Sequence, residues 1–335
     1  MLNDLKEKLA LQAGVTSAEL IAQRGKVLLL HYALPRPTRY PHPVLIVTPL
    51  LVRPYILDLS PGLSFIDYLT KQSLDVFLID FGSPDRSDRT RRFEDYLYDL
   101  DLALEDVLSL SGSQSATLLG YCLGGLFAVL YAASNPKKVR NLITLATPFD
   151  FSKAGPLYQW LQGFDVDRFV DAVGNVPGEW IRDQIRLFAS ATWPERNLRI
   201  WLDLLLHLWD REYVRRQELL NRWLNDLLPF PGEAYRQFIK EFVQANKLLK
   251  RELSIAGRLI DPSLIACPVL VLAHTEDVLA PPESAKALVE LVTSQDREFF
   301  EVSGGNVGHI DIVVGSEGPK VTWPKVSSWL KARSG

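Results

Sequence analysis

Leu118-Leu119-Gly120-Tyr121-Cys122-Leu123-Gly124-Gly125 is the stretch that decides the fold of this chain. Just before it, Ser115 to Leu119 is short and apolar, as a buried strand should be, and Leu123 to Ala133, rich in Leu, Ala and Phe, reads as a helix. A strand, a Gly-x-Cys-x-Gly turn and a helix reproduce the nucleophile elbow of hydrolases, with cysteine where serine would stand. Glycines on both sides let the backbone turn sharply and let neighbouring elements approach. Cys122 would then sit at a helix N-terminus, whose dipole and free N–H groups favour a thiolate. The competing reading is a buried cysteine that serves as a small hydrophobe.

An elbow predicts its partners in the order nucleophile, acid, histidine, each on a loop after a later strand. Pro268 to Ala273 reads as a strand and runs into His274-Thr275-Glu276-Asp277; Glu298 to Val302 reads as another and runs into Ser303-Gly304-Gly305-Asn306-Val307-Gly308-His309. Asp277 and His309 are thus the expected acid and base. Histidine suits the base because its pKa lies near neutrality, and the acid would orient the ring and stabilise its cation. The chain has five histidines. His31 ends an early strand-like run, His42 lies in a Pro-rich connection, and His207 lies in a Trp- and Leu-rich segment as a packed or rim residue. His274 is the competing base and Glu276 the competing acid, and Gly304-Gly305 also reads as an ordinary turn that leaves His309 exposed.

The rest of the composition fits a globular enzyme. At 335 residues, 47% of them hydrophobic, the chain can bury a substantial core. A net charge of −3 gives no electrostatic case for nucleic-acid binding. Two cysteines, one of them the proposed nucleophile, make no disulfide framework, so Cys267 reads as structural. The first nine residues read as charged and helical rather than as a signal, and no apolar run reaches the length of a membrane span. The expected location is the cytoplasm.

Along the chain, a core is interrupted by an insertion. Residues 1–23 suggest an amphipathic helix. Strand-like runs follow at Lys26–Leu34, Val44–Thr48, Val76–Asp80, Ala116–Leu119, Val139–Ala146, Val269–Ala273 and Phe299–Val302, with helices at Phe93–Leu110 and Val321–Ala332. The alternation implies an α/β fold whose mostly parallel sheet is covered on both faces. The expected division is a first core part at 1–149, an inserted helical subdomain at 150–262 and a second core part at 263–335. The insert either packs for stability alone or caps the site, excluding water and supplying an apolar wall.

Further segments carry a family resemblance. Leu28-Leu29-Leu30-His31-Tyr32, Arg53-Pro54-Tyr55-Ile56-Leu57-Asp58-Leu59, Gly82-Ser83-Pro84-Asp85-Arg86, Gly174-Asn175-Val176-Pro177-Gly178-Glu179 and Gly232-Glu233-Ala234-Tyr235-Arg236-Gln237-Phe238-Ile239-Lys240, with the Gly-x-Cys-x-Gly-Gly box, are similar to segments of the polyhydroxyalkanoate synthases. The chain resembles in particular the catalytic subunits of the class III type, over most of its length. The resemblance implies an α/β-hydrolase fold with a Cys-Asp-His triad at Cys122, Asp277 and His309. It implies polymerisation of 3-hydroxyacyl-CoA, short-chain units such as 3-hydroxybutyryl-CoA among them, into a storage polyester. CoA thioester would be a substrate, with no cofactor or metal. A second synthase subunit, a homodimer and attachment to polymer granules are the implied associations. Three positions depart from the family pattern: Val52 where asparagine is common, Phe81 where tryptophan is usual, and Val278 where histidine often follows the acid.

Sulfur suits this chemistry, because exchanging one thioester for another is nearly balanced in energy. His309 would deprotonate Cys122 and then the 3-hydroxyl that attacks the acyl-cysteine. The backbone N–H of Leu123, following the nucleophile, is one expected oxyanion donor, with Leu51 or Val52, after the Val44–Thr48 strand, the other. A cysteine-dependent thioesterase or polyester depolymerase, and a non-catalytic granule-associated subunit, are the alternative functions.

Overall fold

The computed structural model describes residues 14–32, 40–192, 202, 205–207, 209–304 and 308–333. Eight strands form one sheet: β1 (Ala18–Arg24), β2 (Val27–Tyr32), β3 (Val44–Val47), β4 (Val76–Asp80), β5 (Ala116–Tyr121), β6 (Val139–Leu145), β7 (Val269–His274) and β8 (Arg297–Val302). Their spatial order is β1-β2-β4-β3-β5-β6-β7-β8, with β2 antiparallel to both neighbours and β4 through β8 parallel. The β3, β5, β6 and β7 runs are buried along nearly their whole length. Alternate residues feed two separate cores: Leu45 and Val47 face one, Val44 and Ile46 the other. This two-sided burial explains why these strands read as continuous apolar runs.

The first expected element is corrected at its C-terminal end. Ala18 to Arg24 is a strand, not the end of an amphipathic helix; the earlier part, residues 1–13, lies outside the described residues. Gly25, at φ 60°, and Lys26 turn the chain so that Arg24 pairs with Val27 and Ala18 with Tyr32. The positive φ is cheap for glycine, and tertiary pairing with a strongly apolar neighbour overrides local helix propensity.

Helices α1 (Phe65–Lys71), α2 (Phe93–Ser111) and α3 (Leu123–Ser134) follow in the first part. α3 is buried from Leu123 to Ala133, which accounts for a helix apolar on every side. It lies against β5 and β3 because Gly124 has no side chain: a Cβ there would stand 2.1 Å from the Val47 carbonyl oxygen.

Between β6 and β7 no described residue joins the large sheet. This interval carries α4 (Pro156–Leu161), α5 (Val166–Val173), α6 (Gly178–Thr192), α7 (Arg211–Asn225), α8 (Gly232–Gln237) and α9 (Lys247–Lys250), with a wide π turn at Phe238–Gln244 and a small hairpin at 254–259. Arg236 ties α8 to α5 through Asp167 and Asp171, both at 2.6 Å. The insert is also bound to the sheet domain: Gln237 Oε1 accepts from the Phe93 amide (2.9 Å), and Trp223 Nε1 donates to the Arg53 carbonyl (3.0 Å). The chain then closes with α10 (Pro282–Leu291) and α11 (Trp323–Lys331). No helix among the described residues is long and apolar enough to cross a membrane.

Candidate active site

Cys122 stands between β5 and α3 with φ 53° and ψ −126°. That backbone conformation is costly for a non-glycine residue, on the order of 1–3 kcal/mol, and persists only where its surroundings over-determine it. Here they do. The Cys122 amide donates to the Leu145 carbonyl (2.8 Å), while its own carbonyl accepts from the Gly125 amide (2.9 Å) and the Thr147 hydroxyl (3.0 Å). Thr147 lies two residues beyond the end of β6, and sequence reasoning passed over it, although its place after a core strand beside the elbow was a usable signal.

Asp277 and His309 arrive from the ends of β7 and β8. The Asp277 carboxylate is fully buried and divides its work between two oxygens. Oδ2 lies 2.8 Å from His309 Nδ1. Oδ1 accepts from the amides of Leu279 (2.8 Å) and Ala280 (2.9 Å). The His309 carbonyl accepts from the Tyr121 hydroxyl (3.1 Å), so the residue before the cysteine also anchors the loop that carries the histidine. Burial opposes charge on the imidazole, but the Asp277 carboxylate and the Cys122 sulfur outweigh it and hold the His309 pKa well above its usual value. The structure thus brings Cys122, Asp277 and His309 to one place.

The rival residues are placed elsewhere. His274 is wholly buried at the end of β7, and its Nδ1 accepts from the Glu276 amide (3.1 Å). His31 pairs with Asp75 (2.7 Å), His42 Nδ1 is 3.3 Å from the Ser113 hydroxyl, and His207 is exposed and stacked on Tyr213. Burial pushes the Cys267 thiol up to about 11.

Two apolar cavities meet at the cysteine. One runs beneath the insert and is walled by Leu157, Tyr158, Trp180, Phe230, Tyr235 and Phe238. The other opens on the His309 side between Val52, Val278 and Trp223, with Arg182 and Arg186 on its wall. Leu51, Cys122, Ile185 and Leu279 line both. Of the oxyanion candidates, Leu123 lines the first cavity, Val52 the second and Leu51 both. Leu123 N–H is the first of a helix, where no intrahelical acceptor exists. Neither the Leu51 nor the Val52 amide donates to another described main-chain oxygen. The Leu51 carbonyl accepts from Leu228 of the insert (2.9 Å), which orients the peptide whose N–H belongs to Val52.

With this geometry in view, relatives become decisive. A protein from Haloferax mediterranei, a poly(3-hydroxyalkanoate) polymerase subunit PhaC, is 37% identical over 96% of this chain and 65% of its own length. The PhaC subunit of Allochromatium vinosum is 34% identical over 97% of this chain and 91% of its own. The family model described as alpha/beta hydrolase fold matches residues 53–313. The chain belongs to the PhaC polymerase family, built on the α/β-hydrolase fold. The chain spans just under two thirds of the length of the Haloferax relative. Solved structures agree on the fold: a monoacylglycerol lipase from Paleococcus ferrophilus superposes with a TM-score of 0.56 at 16% identity, over 89% of this chain and 96% of that one. A monoglyceride lipase from Saccharomyces cerevisiae gives 0.57 at 14% identity, over 96% of each chain.

Three of the segments that carry the family resemblance meet at one residue. Asn175 donates to the Asp85 carbonyl (2.5 Å) and accepts from the Gly232 amide (3.2 Å), joining the Gly174, Gly82 and Gly232 segments. These contacts dock the insert on the sheet domain. Val52 and Val278 line the cavity on the His309 side, and Phe81 is buried edge-on against Tyr96.

Proposed function

We propose that this chain is a polyhydroxyalkanoate synthase that builds polyester from 3-hydroxyacyl-CoA through an acyl-Cys122 thioester. The observation that carries the reading is a cysteine elbow, backed by an aspartate-bound histidine, at the meeting point of two apolar cavities. One cavity accommodates the acyl unit and the other the group exchanged with it. Arg182 and Arg186, on the His309 side, suit the phosphates of CoA, which makes that side the entry for the thioester.

The Cys122 sulfur attacks the thioester carbonyl, the bond from carbonyl carbon to CoA sulfur breaks, and the departing thiolate takes the proton held on His309. The oxyanion formed on the way is met by Leu123 and by Leu51 or Val52; losing one such donor costs about 10²–10³ in rate. His309, now neutral, takes the proton of an incoming 3-hydroxyl. Its oxygen attacks the acyl-cysteine, forming the ester and releasing the cysteine sulfur. Asp277 holds Nδ1 protonated so that Nε2 faces the reacting atoms. Water competes with the hydroxyl at this step. The apolar walls supplied by residues 150–262 favour polymer over hydrolysis. CoA enters as substrate, with no further cofactor.

The insert also supports a partner requirement. Leu205, Leu206 and Trp209 are exposed on it, and α7 from the same region contacts the second cavity through Trp223 and Leu224. A helical second subunit that repacks this region would open the cavity, and the polymer granule would be the place of work. Part of this region, residues 193–201, lies outside the described residues.

Purified chain incubated with 3-hydroxybutyryl-CoA, with CoA release and polymer mass followed together, tests the reading. Polymer growing with CoA supports it. CoA without polymer makes the chain a thioesterase, and acyl label on Cys267 rather than Cys122 removes the nucleophile. Addition of a co-expressed partner subunit should shorten the lag before CoA release, whereas full activity of the isolated chain without lag rules out the partner requirement.

A further inference from the structure

The cavity beneath the insert is apolar except for a few side chains, among them the phenols of Tyr158 and Tyr235. Neither hydroxyl has a hydrogen-bond partner among the described residues. Neither oxygen is sealed off from the cavity, so the partner each phenol meets is whatever fills that space, water when the site is empty and the ligand when it is loaded. Tyr158 stands nearer the chemistry. Burial, followed by the negative charges at Cys122 and Asp277, pushes its phenol pKa well above the ordinary value. Its oxygen thus lies in the field of the catalytic groups and stays protonated, a donor. Edge contacts with Phe151 (5.3 Å, 79°) and Phe238 (6.3 Å, 78°) fix the ring.

The acceptor follows from the division of the site. The thioester carbonyl has the elbow amides as its donors, and His309 lines the other cavity and not this one. A donor in the acyl cavity therefore meets an oxygen farther along the acyl chain, and the first of these is on carbon 3. We propose that Tyr158 is the specificity residue that reads the 3-oxygen of the acyl unit on Cys122, donating its O–H to that oxygen. This rests on the polymerase reading above. The 3-oxygen accepts best as the free hydroxyl of a monomer unit and only weakly once esterified in the growing chain, so the phenol reads chiefly the newly loaded monomer.

The experiment compares single-turnover acylation of Cys122 by 3-hydroxybutyryl-CoA and by butyryl-CoA, followed by intact-protein mass, in wild type and Tyr158→Phe. Phenylalanine keeps the ring and its packing, and thermal melting checks that the variant is folded. Wild type should prefer the hydroxyacyl thioester, and Tyr158→Phe should lower that preference by about tenfold, the scale of one lost hydrogen bond. A wild type without preference overturns the proposal whatever the variant does. So does a variant in which both rates fall by the same factor, since that is the mark of a packing role. A wild-type Cys122 acylated by neither thioester overturns the polymerase reading itself, and this inference with it, and is distinguishable from both.

Discussion

Replacing Asp277 by asparagine tests how the site sets the histidine tautomer. The two carboxylate oxygens have different partners: Oδ1 accepts from Leu279 and Ala280 at 2.8 and 2.9 Å, and Oδ2 faces His309 Nδ1 at 2.8 Å. Asparagine has one acceptor oxygen and one donor nitrogen. Two backbone donors hold the oxygen at the Oδ1 position, because the reverse orientation would set an NH₂ group against two N–H groups. The amide nitrogen must then face His309 and donate to Nδ1. The ring proton moves to Nε2, which can no longer accept a proton from a hydroxyl. Loss of the correct tautomer in an analogous triad costs about 10⁴ in rate, or roughly 5 kcal/mol. Elongation, which must ionise a hydroxyl, should fall by about 10³–10⁴. Acylation should fall less, by about 10², because a free thiol is already a few per cent thiolate at neutral pH. Rapid-quench measurement of acyl-enzyme and steady-state CoA release separate the two steps. Elongation within tenfold of wild type in a folded Asn variant refutes the tautomer argument.

The two thiols should part under alkylation: iodoacetamide at a pH just below the ordinary thiol pKa of about 8.5 should modify Cys122 and spare Cys267, whose thiol burial pushes up to about 11; peptide mapping that finds Cys267 modified first contradicts this. Gly124→Ala drives a Cβ to 2.1 Å from the Val47 carbonyl, so α3 must move and the urea midpoint should fall by the equivalent of about 1–3 kcal/mol; an unchanged midpoint would show that the elbow is loosely packed. His309 has a folded-state pKa raised above its unfolded value, so its protonation stabilises the fold fully below about pH 6.5, and that stabilisation is lost as pH rises through the folded value. The stability gap between wild type and His309→Gln should therefore be widest in mild acid and narrow with rising pH, and a gap that widens instead reverses the assigned shift.

How much of this was legible beforehand differs from element to element, for physical reasons. Buried parallel strands such as Val269–His274 must be apolar on both faces, and that requirement is written directly into the residues. The elbow is equally local, since Gly120 to Gly124 contains the turn, the nucleophile and the close approach. The chain order of Cys122, Asp277 and His309 likewise follows from loops placed after strands. Ala18–Arg24 was not legible, because its helical pattern is defeated by a neighbour that only the folded sheet supplies. The tertiary structure alone decided which of two strand-end histidines meets Asp277: His274 ends β7 and is buried against the Glu276 amide, while His309, beyond β8, pairs with the carboxylate. It alone set Thr147 on the cysteine carbonyl and the Leu279 and Ala280 amides on the Asp277 carboxylate. It alone brought Tyr158, thirty-six positions beyond Cys122 in the chain, to the cavity above the sulfur. Periodicity and motifs record what a residue's immediate neighbours require, whereas convergence of distant loops depends on the sheet order and on the insert packed over it, which no local pattern encodes.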